Sequence, residues 1–261
     1  MTALLYLTLV FLPAQTTGSQ EYIFHPLTDG IITGIGAGGS LVLELKKEDT
    51  TSDVCTWCRQ NRFDEYFRRE LKWKNINKAR TLSNIFLGLS IGGSSSVMVL
   101  STLTNYDIKQ SLTRFAIFGE VIFTSVLLNS VAKRAFSRER PYVRDLTDIP
   151  QDTDYNVSFY SGHTSTAFTF VSAAVAFVFH DISPVLRWSL IGTGVMFASL
   201  TGYFRIAGDN HYFTDVLAGA AVGMALGILI PALHKKTSSK HVSFFVLPSQ
   251  NGALTGLSGT F

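Results

Sequence analysis

Between Val185 and Leu233 the chain reads as two apolar runs, Val185 to Phe204 and Val216 to Leu233, joined by Arg205-Ile-Ala-Gly-Asp-Asn-His211-Tyr-Phe-Thr-Asp215. At about 1.5 Å per residue each run approaches the thickness of a bilayer's hydrocarbon core. A short polar connection sends the chain back the way it came. The spacing therefore predicts two antiparallel helices with basic, imidazole and carboxylate groups gathered at one end.

Working outward, four more apolar stretches precede these: Gly30 to Leu45, Leu82 to Leu103, Phe115 to Ala132 and Thr164 to Phe179. Each mixes Gly, Ser and Thr with Leu, Val, Ile and Phe and is bounded by charges or turn residues, which predicts helices. The first and fourth fall a few residues short of a full crossing. In the last stretch Gly219, Gly223 and Gly227 recur every four residues, a stripe that admits a second helix backbone. After it, Val242 to Leu247 and Ala253 to Phe261 flank Asn251-Gly252, the pattern of a terminal β-hairpin. The predicted fold is all-α, a six-helix bundle embedded in or attached to a membrane, with residues 21–241 as one helical domain and 242–261 as a tail.

Composition agrees with that class. Of 261 residues 46% are hydrophobic and 16% charged, and the mean hydropathy is +0.24, which favours a membrane protein. The net charge of +3 comes from clusters at Arg59 to Arg80 and Lys133 to Arg144. No basic arm interleaved with aromatics is present, so nucleic acid is excluded as a partner. Residues 1–20 have the length and apolarity of a signal peptide or N-terminal anchor without a basic start. Cys55 and Cys58 have no further ligands at zinc spacing and read as a local disulfide. The segment from Phe63 to Trp73 carries aromatics at helical spacing among charges, an amphipathic helix for a membrane face or the bundle surface.

Three segments hold the chemistry: Lys133-Arg-Ala-Phe-Ser-Arg-Glu-Arg140-Pro141, Tyr160-Ser161-Gly162-His163, and Arg205 to Asp215. They follow the third helix, open the fourth, and link the fifth to the sixth, so an alternating bundle brings all three to one face. Lys133, Arg140 and Arg205 together are tolerable only around a multiply charged anion, and their donor geometry suits phosphate. Ser161 and Gly162 stand at a helix N-terminus, whose amides and dipole favour an oxyanion. His211 and Asp215, four residues apart, share a helix face, so the carboxylate is expected to orient an imidazole nucleophile. His163 is left as proton donor to the leaving oxygen. Asp209 and Asn210 offer oxygen ligands, but three neighbouring cations disfavour a metal there, and neither metal nor other cofactor is expected.

These segments resemble the signature of the type 2 phosphatidic acid phosphatase superfamily, which includes bacterial class A acid phosphatases and vanadium-dependent haloperoxidases. Its first segment is Lys, six residues, Arg-Pro; its second Pro-Ser-Gly-His; its third Ser-Arg, five residues, His, three residues, Asp. Lys133, Arg140, Pro141, Ser161, Gly162, His163, Arg205, His211 and Asp215 match, while Tyr160 replaces the usual proline and Phe204 the usual serine. The resemblance implies His211 as nucleophile, Asp215 as its partner, His163 as general acid, and Lys133, Arg140, Ser161, Gly162 and Arg205 as phosphate ligands. It implies a phosphatase for lipid monoesters or pyrophosphates, acting without metal through a phosphohistidine. The alternatives are a soluble exported acid phosphatase, a vanadate-dependent haloperoxidase, or a non-catalytic scaffold.

Other features are read more plainly. Glu120, alone within the third helix, needs a partner and is expected to pair helices or to line a proton or substrate path. His25, His180, His234 and His241 are expected to be surface or satisfied core histidines. Asn156-Val-Ser158 fits a glycosylation sequon, relevant only to an exported eukaryotic chain. A site on the extracytoplasmic, periplasmic side of the cell envelope conflicts with a cleaved leader followed by six crossings. The expected resolution is that the short first stretch does not cross.

Overall fold

The computed structural model describes residues 20–58, 60–146, 152–236, 242–249 and 252–259; the predicted leader lies almost wholly outside them, as does His241. The helices are α1 (Thr28–Leu45), α2 (Lys47–Thr50), α3 (Arg62–Leu71), α4 (Ile76–Asn105), α5 (Ile108–Phe136), α6 (Gly162–Val178), α7 (Pro184–Ala207) and α8 (Phe213–Leu233). Two 3-10 turns, Pro141–Asp145 and Thr153–Asn156, fill the link between α5 and α6. Strands β1 (Val242–Ser249) and β2 (Gly252–Gly259) pair antiparallel, with Val242 opposite Gly259 and Ser249 opposite Gly252.

Helix starts follow local chemistry. Asn61, Asn75, Asp107 and Ser183 each accept the amide of the residue three positions on, and Pro184 occupies the first turn of α7. α4 and α5 extend well beyond their apolar runs, because polar residues such as Lys109, Gln110 and Arg134 continue the helices where a hydropathy reading stops. Four helices, over Ile76–Thr104, Ile108–Phe136, Pro184–Ala207 and Phe213–Leu233, are long and apolar enough to cross a membrane; α6 is shorter. Leu89, Leu103, Leu112, Val185, Trp188, Ile228 and Leu233 are exposed on them. Such large apolar side chains facing outward are what a lipid-facing surface requires. The protein is a membrane protein.

The long helices alternate in direction, and side-chain contacts fix the neighbours. α8 lies on α6 at its glycine stripe: a Cβ on Gly219 would come 2.6 Å from the Ser161 carbonyl oxygen, and ones on Gly223 and Gly227 would strike the Ser165 carbonyl and the Ser172 hydroxyl. α1 runs parallel to α5, with Gly36 against Phe123, Gly39 against Leu127 and the Leu43 carbonyl accepting from Arg134. Its 18 residues span about 27 Å. It runs beside α5 towards the end holding Lys133, and it is not among the four helices long and apolar enough to cross a membrane, in keeping with the expectation that the first stretch does not cross.

At the far end, Met98, Ile117, Phe118, Val121, Phe177, Val178, Ile230 and Tyr22 form the main apolar cluster. Arg114 is fully buried there, bonded to the carbonyls of Phe177 and Gln20 and to Asp181, with the Tyr106 ring 3.5 Å away. Residues 20–25 are stitched to the end of α8 through Ile23 N–H to the His234 carbonyl and Lys236 N–H to the Glu21 carbonyl.

Candidate active site

The site forms where α5, α7, α6 and α8 end or begin on the face opposite residues 20–25. α7 is terminated by Gly208, whose amide bonds to the Phe204 carbonyl, and Asp209 then takes a left-handed conformation at φ 58°. Aspartate tolerates that region better than most side chains. Arg68 of α3 grips both Asp209 carboxylate oxygens at 2.8 Å, and Lys72 adds a third contact at 2.8 Å. α3 is thus the amphipathic helix that the sequence predicts, and it docks on the bundle rather than lying free: Phe67 stacks on Phe213 with ring centroids 4.1 Å apart.

His211 follows this turn and is 3% exposed. Its Nδ1 lies 2.7 Å from the Ser158 carbonyl oxygen. A carbonyl only accepts, so Nδ1 carries the proton and Nε2 keeps its lone pair. The Asp215 carboxylate stands 3.8 Å from Nδ1 and is not its direct partner. It accepts instead from the Ser158 hydroxyl at 2.6 Å and the Tyr212 amide at 2.9 Å, and pairs with Arg138. The expected orientation of the imidazole by Asp215 is therefore indirect, relayed through Ser158. Burial first, then the positive charges of Arg205, Arg140 and Lys133, hold the His211 pKa well below its ordinary value.

The three predicted cations do converge, since each acts electrostatically on both His211 and His163. Buried Nε atoms of Arg140 and Arg205 have no hydrogen-bond partner among the described residues. Orphaned donors of permanent cations are costly unless an anion meets them. Lys133 reaches Gly162, where an added Cβ would lie 3.5 Å from Nζ and 2.8 Å from the Asn129 side-chain oxygen; this crowding, with no positive φ, accounts for glycine. Ser161 differs from expectation, because its amide already donates to the Asp215 carbonyl at 3.0 Å. Its hydroxyl lies 2.9 Å from that of Thr164. The first-turn amides of α6 have no intrahelical acceptors and face the same region.

His163 Nε2 lies 3.0 Å from Asn84 Oδ1. An amide oxygen only accepts, so Nε2 carries a hydrogen. Sequence reasoning passed over Asn84, Ser158, Asp64 and Arg138. Arg138 is fully buried, flanked by the Trp57 and Tyr212 rings at 4.0 and 4.3 Å, and its guanidinium joins Asp215 to Asp64. Asp64 in turn accepts the Thr214 amide at 2.9 Å and hydroxyl at 2.8 Å. The signal available was Arg138 itself, the second of two arginines between Lys133 and Arg140. Ser158 is fully buried and Asn156 donates to the Ser52 carbonyl, so the sequon is structural.

Residues 114–239, which hold every catalytic position predicted, match the family model described as PAP2 superfamily. Over those residues, just under half of its length, the chain is similar to the PAP2 superfamily. The lipid A 1-phosphatase of Porphyromonas gingivalis is 42% identical over 81 residues, 31% of this chain and 17% of that protein. An uncharacterized 22.5 kDa protein in the cps region of Klebsiella pneumoniae is 31% identical over 88 residues, 33% of this chain and 42% of its own length. The match thus spans less than half of either curated relative. Among solved structures, the transmembrane PAP2-type phosphatidylglycerolphosphate phosphatase of Bacillus subtilis aligns over 81% of this chain and 96% of its own, at 19% identity and a TM-score of 0.48.

Proposed function

We propose that this protein is a membrane phosphatase that hydrolyses a lipid phosphate monoester or pyrophosphate through a phosphohistidine on His211. The observation that carries the reading is the neutral, buried His211, its Nδ1 fixed on the Ser158 carbonyl, set among Lys133, Arg140 and Arg205. In the first step the His211 Nε2 lone pair forms a bond to phosphorus while the bond to the leaving oxygen breaks, and His163, held as imidazolium by the bound phosphate dianion, gives that oxygen its proton and is left neutral. In the second, water attacks phosphorus, His163 takes a proton from the water, the P–N bond breaks, and neutral His211 returns with inorganic phosphate released. The three cations and the α6 amides stabilise charge on the equatorial oxygens throughout. Arg138, Asp64 and Asp215 position the nucleophile without touching phosphate.

Lipid substrates are favoured by the four apolar helices around the site. The relative named as a lipid A phosphatase adds lipid A to the candidates, beside phosphatidate and isoprenyl pyrophosphate. These same helices weigh against a soluble acid phosphatase. An extracytoplasmic site is supported by the Cys55–Cys58 disulfide, which lies beside Arg138 through Trp57 and the Thr56 amide bonded to the Ser137 carbonyl. Disulfides persist in oxidising compartments. The test is phosphate release from that substrate panel, with rapid quenching to trap an acid-labile phosphoenzyme. His211→Ala is expected to abolish both; undiminished release in that variant would refute the mechanism.

A further inference from the structure

We propose that Asp29, Glu120 and His234 form a binding site for one divalent transition-metal cation of the zinc type, at the end of the bundle away from the catalytic groups. Three segments distant in sequence converge there: the first turn of α1, the middle of α5 and the residue that ends α8. Along α5, Glu120 precedes Lys133 by thirteen residues, about 20 Å of helix. The cluster is thus separate from the phosphate cradle.

The protonation pattern requires a cation. His234 Nδ1 lies 2.8 Å from the Ile230 carbonyl, so that nitrogen carries the hydrogen. The opposite nitrogen, Nε2, then directs its lone pair at two carboxylate oxygens, Asp29 Oδ2 at 3.3 Å and Glu120 Oε2 at 3.5 Å. Lone pairs facing one another in a buried site repel unless a positive charge lies between them. Glu120 is 4% exposed and its Oε2 has no hydrogen-bond partner, an orphaned acceptor aimed into the cluster.

The geometry favours a metal over a proton. Ligands held at about 2.05 Å around tetrahedral zinc stand about 3.3 Å from one another. The two separations at Nε2 match that edge length, whereas a single proton would draw one oxygen towards hydrogen-bond distance and release the other. All three ligand atoms lie within 4.8 Å of one another. The donor set of one imidazole and two carboxylates suits zinc and its first-row neighbours, and the imidazole disfavours calcium and magnesium. The outer contacts fit too, since metal-binding histidines commonly donate their other N–H to a carbonyl and ligating carboxylates accept local hydrogen bonds. Here Asp29 accepts from the Thr28 hydroxyl at 3.0 Å and from the His25 amide. A divalent ion would clamp α1 to α5 and α8 at their shared end.

The test uses the full-length protein purified in detergent, stripped with a chelator and titrated with Zn2+, with Co2+ as a spectroscopic reporter. One equivalent is expected to bind at micromolar or lower concentration, to raise the unfolding temperature, and to give a low-symmetry Co2+ absorption band. Affinity is expected to fall at least tenfold in the near-isosteric Glu120→Gln and Asp29→Asn and in His234→Ala, and to persist in His211→Ala and His163→Ala. Zinc uptake equal in the wild type and Glu120→Gln, or absent from the wild type, would overturn the site. Should His234→Ala fail to fold, the two carboxylate variants decide. Neither result bears on the phosphatase reading, which His211→Ala tests separately.

Discussion

At the residue scale the site is a set of side chains whose roles are assigned by what each can donate or accept. Removing the Arg138 guanidinium would leave Asp64 and Asp215 as two buried, unpaired carboxylates. Arg138→Ala is therefore expected to cost about 3–5 kcal/mol of stability, read by thermal unfolding, as for other broken buried pairs. Ser158→Ala keeps the carbonyl that fixes His211 and deletes only the hydroxyl bonded to Asp215, so it is expected to cost about 1–3 kcal/mol while retaining the phosphoenzyme. The pH profile gives a third check. His211 must be neutral to attack, and its lowered pKa means that no loss of kcat/KM is expected as pH falls through about 6.5, where an ordinary histidine nucleophile would lose activity. The sign for stability follows from linkage: an unfolded His211 takes up a proton below about 6.5 while the folded one does not, so stability is full above that pH and declines as pH drops beneath it. The groups proposed as catalytic could be picked out from the sequence because phosphate chemistry needs those types at helix ends. Their supports could not, since Ser158 acts through a backbone carbonyl and Asp64 reaches across the fold from α3, relations that spacing does not carry.

At the scale of elements, six hydropathy runs located six of the eight helices among the described residues, leaving out α2 and α3, and the ends of the six depended on polar residues with no apolar signature. The glycine stripe was legible as a close-packing surface, and its partner became evident only in three dimensions, as α6. Because a Cβ on Gly223 already meets the Ser165 carbonyl, Gly223→Leu is expected to destabilise by at least about 1–3 kcal/mol, through overpacking against backbone that has little room to yield. Thermal unfolding in detergent measures the cost. Since α6 opens at His163 and α8 at the residues after His211, the same variant is expected to lower kcat more than KM in assays below its unfolding temperature. α3 illustrates the opposite case: its amphipathic pattern was plain, yet whether it faced lipid or protein was settled by the Phe67–Phe213 stack and the Arg68 grip on Asp209.

At the scale of the molecule, labelling of intact cells reads the orientation in the membrane. With the site outward, a cysteine at Asp152, in the link between α5 and α6, is expected to react with an impermeant maleimide, and one at Lys109, at the start of α5, to be protected; the reverse pattern would place the site inside. Both positions are exposed.

The strap of residues 20–25 along the end of α8 has a topological meaning. Gln20 and Lys236 are brought beside one another, bridged through Glu21, so the helical assembly closes on itself like the staves of a cask. Joining Lys236 to Gln20 by a short linker and opening the chain between α2 and α3 would then preserve every interhelical seam. The order in which the staves enter the bilayer is separable from the vessel they finally make.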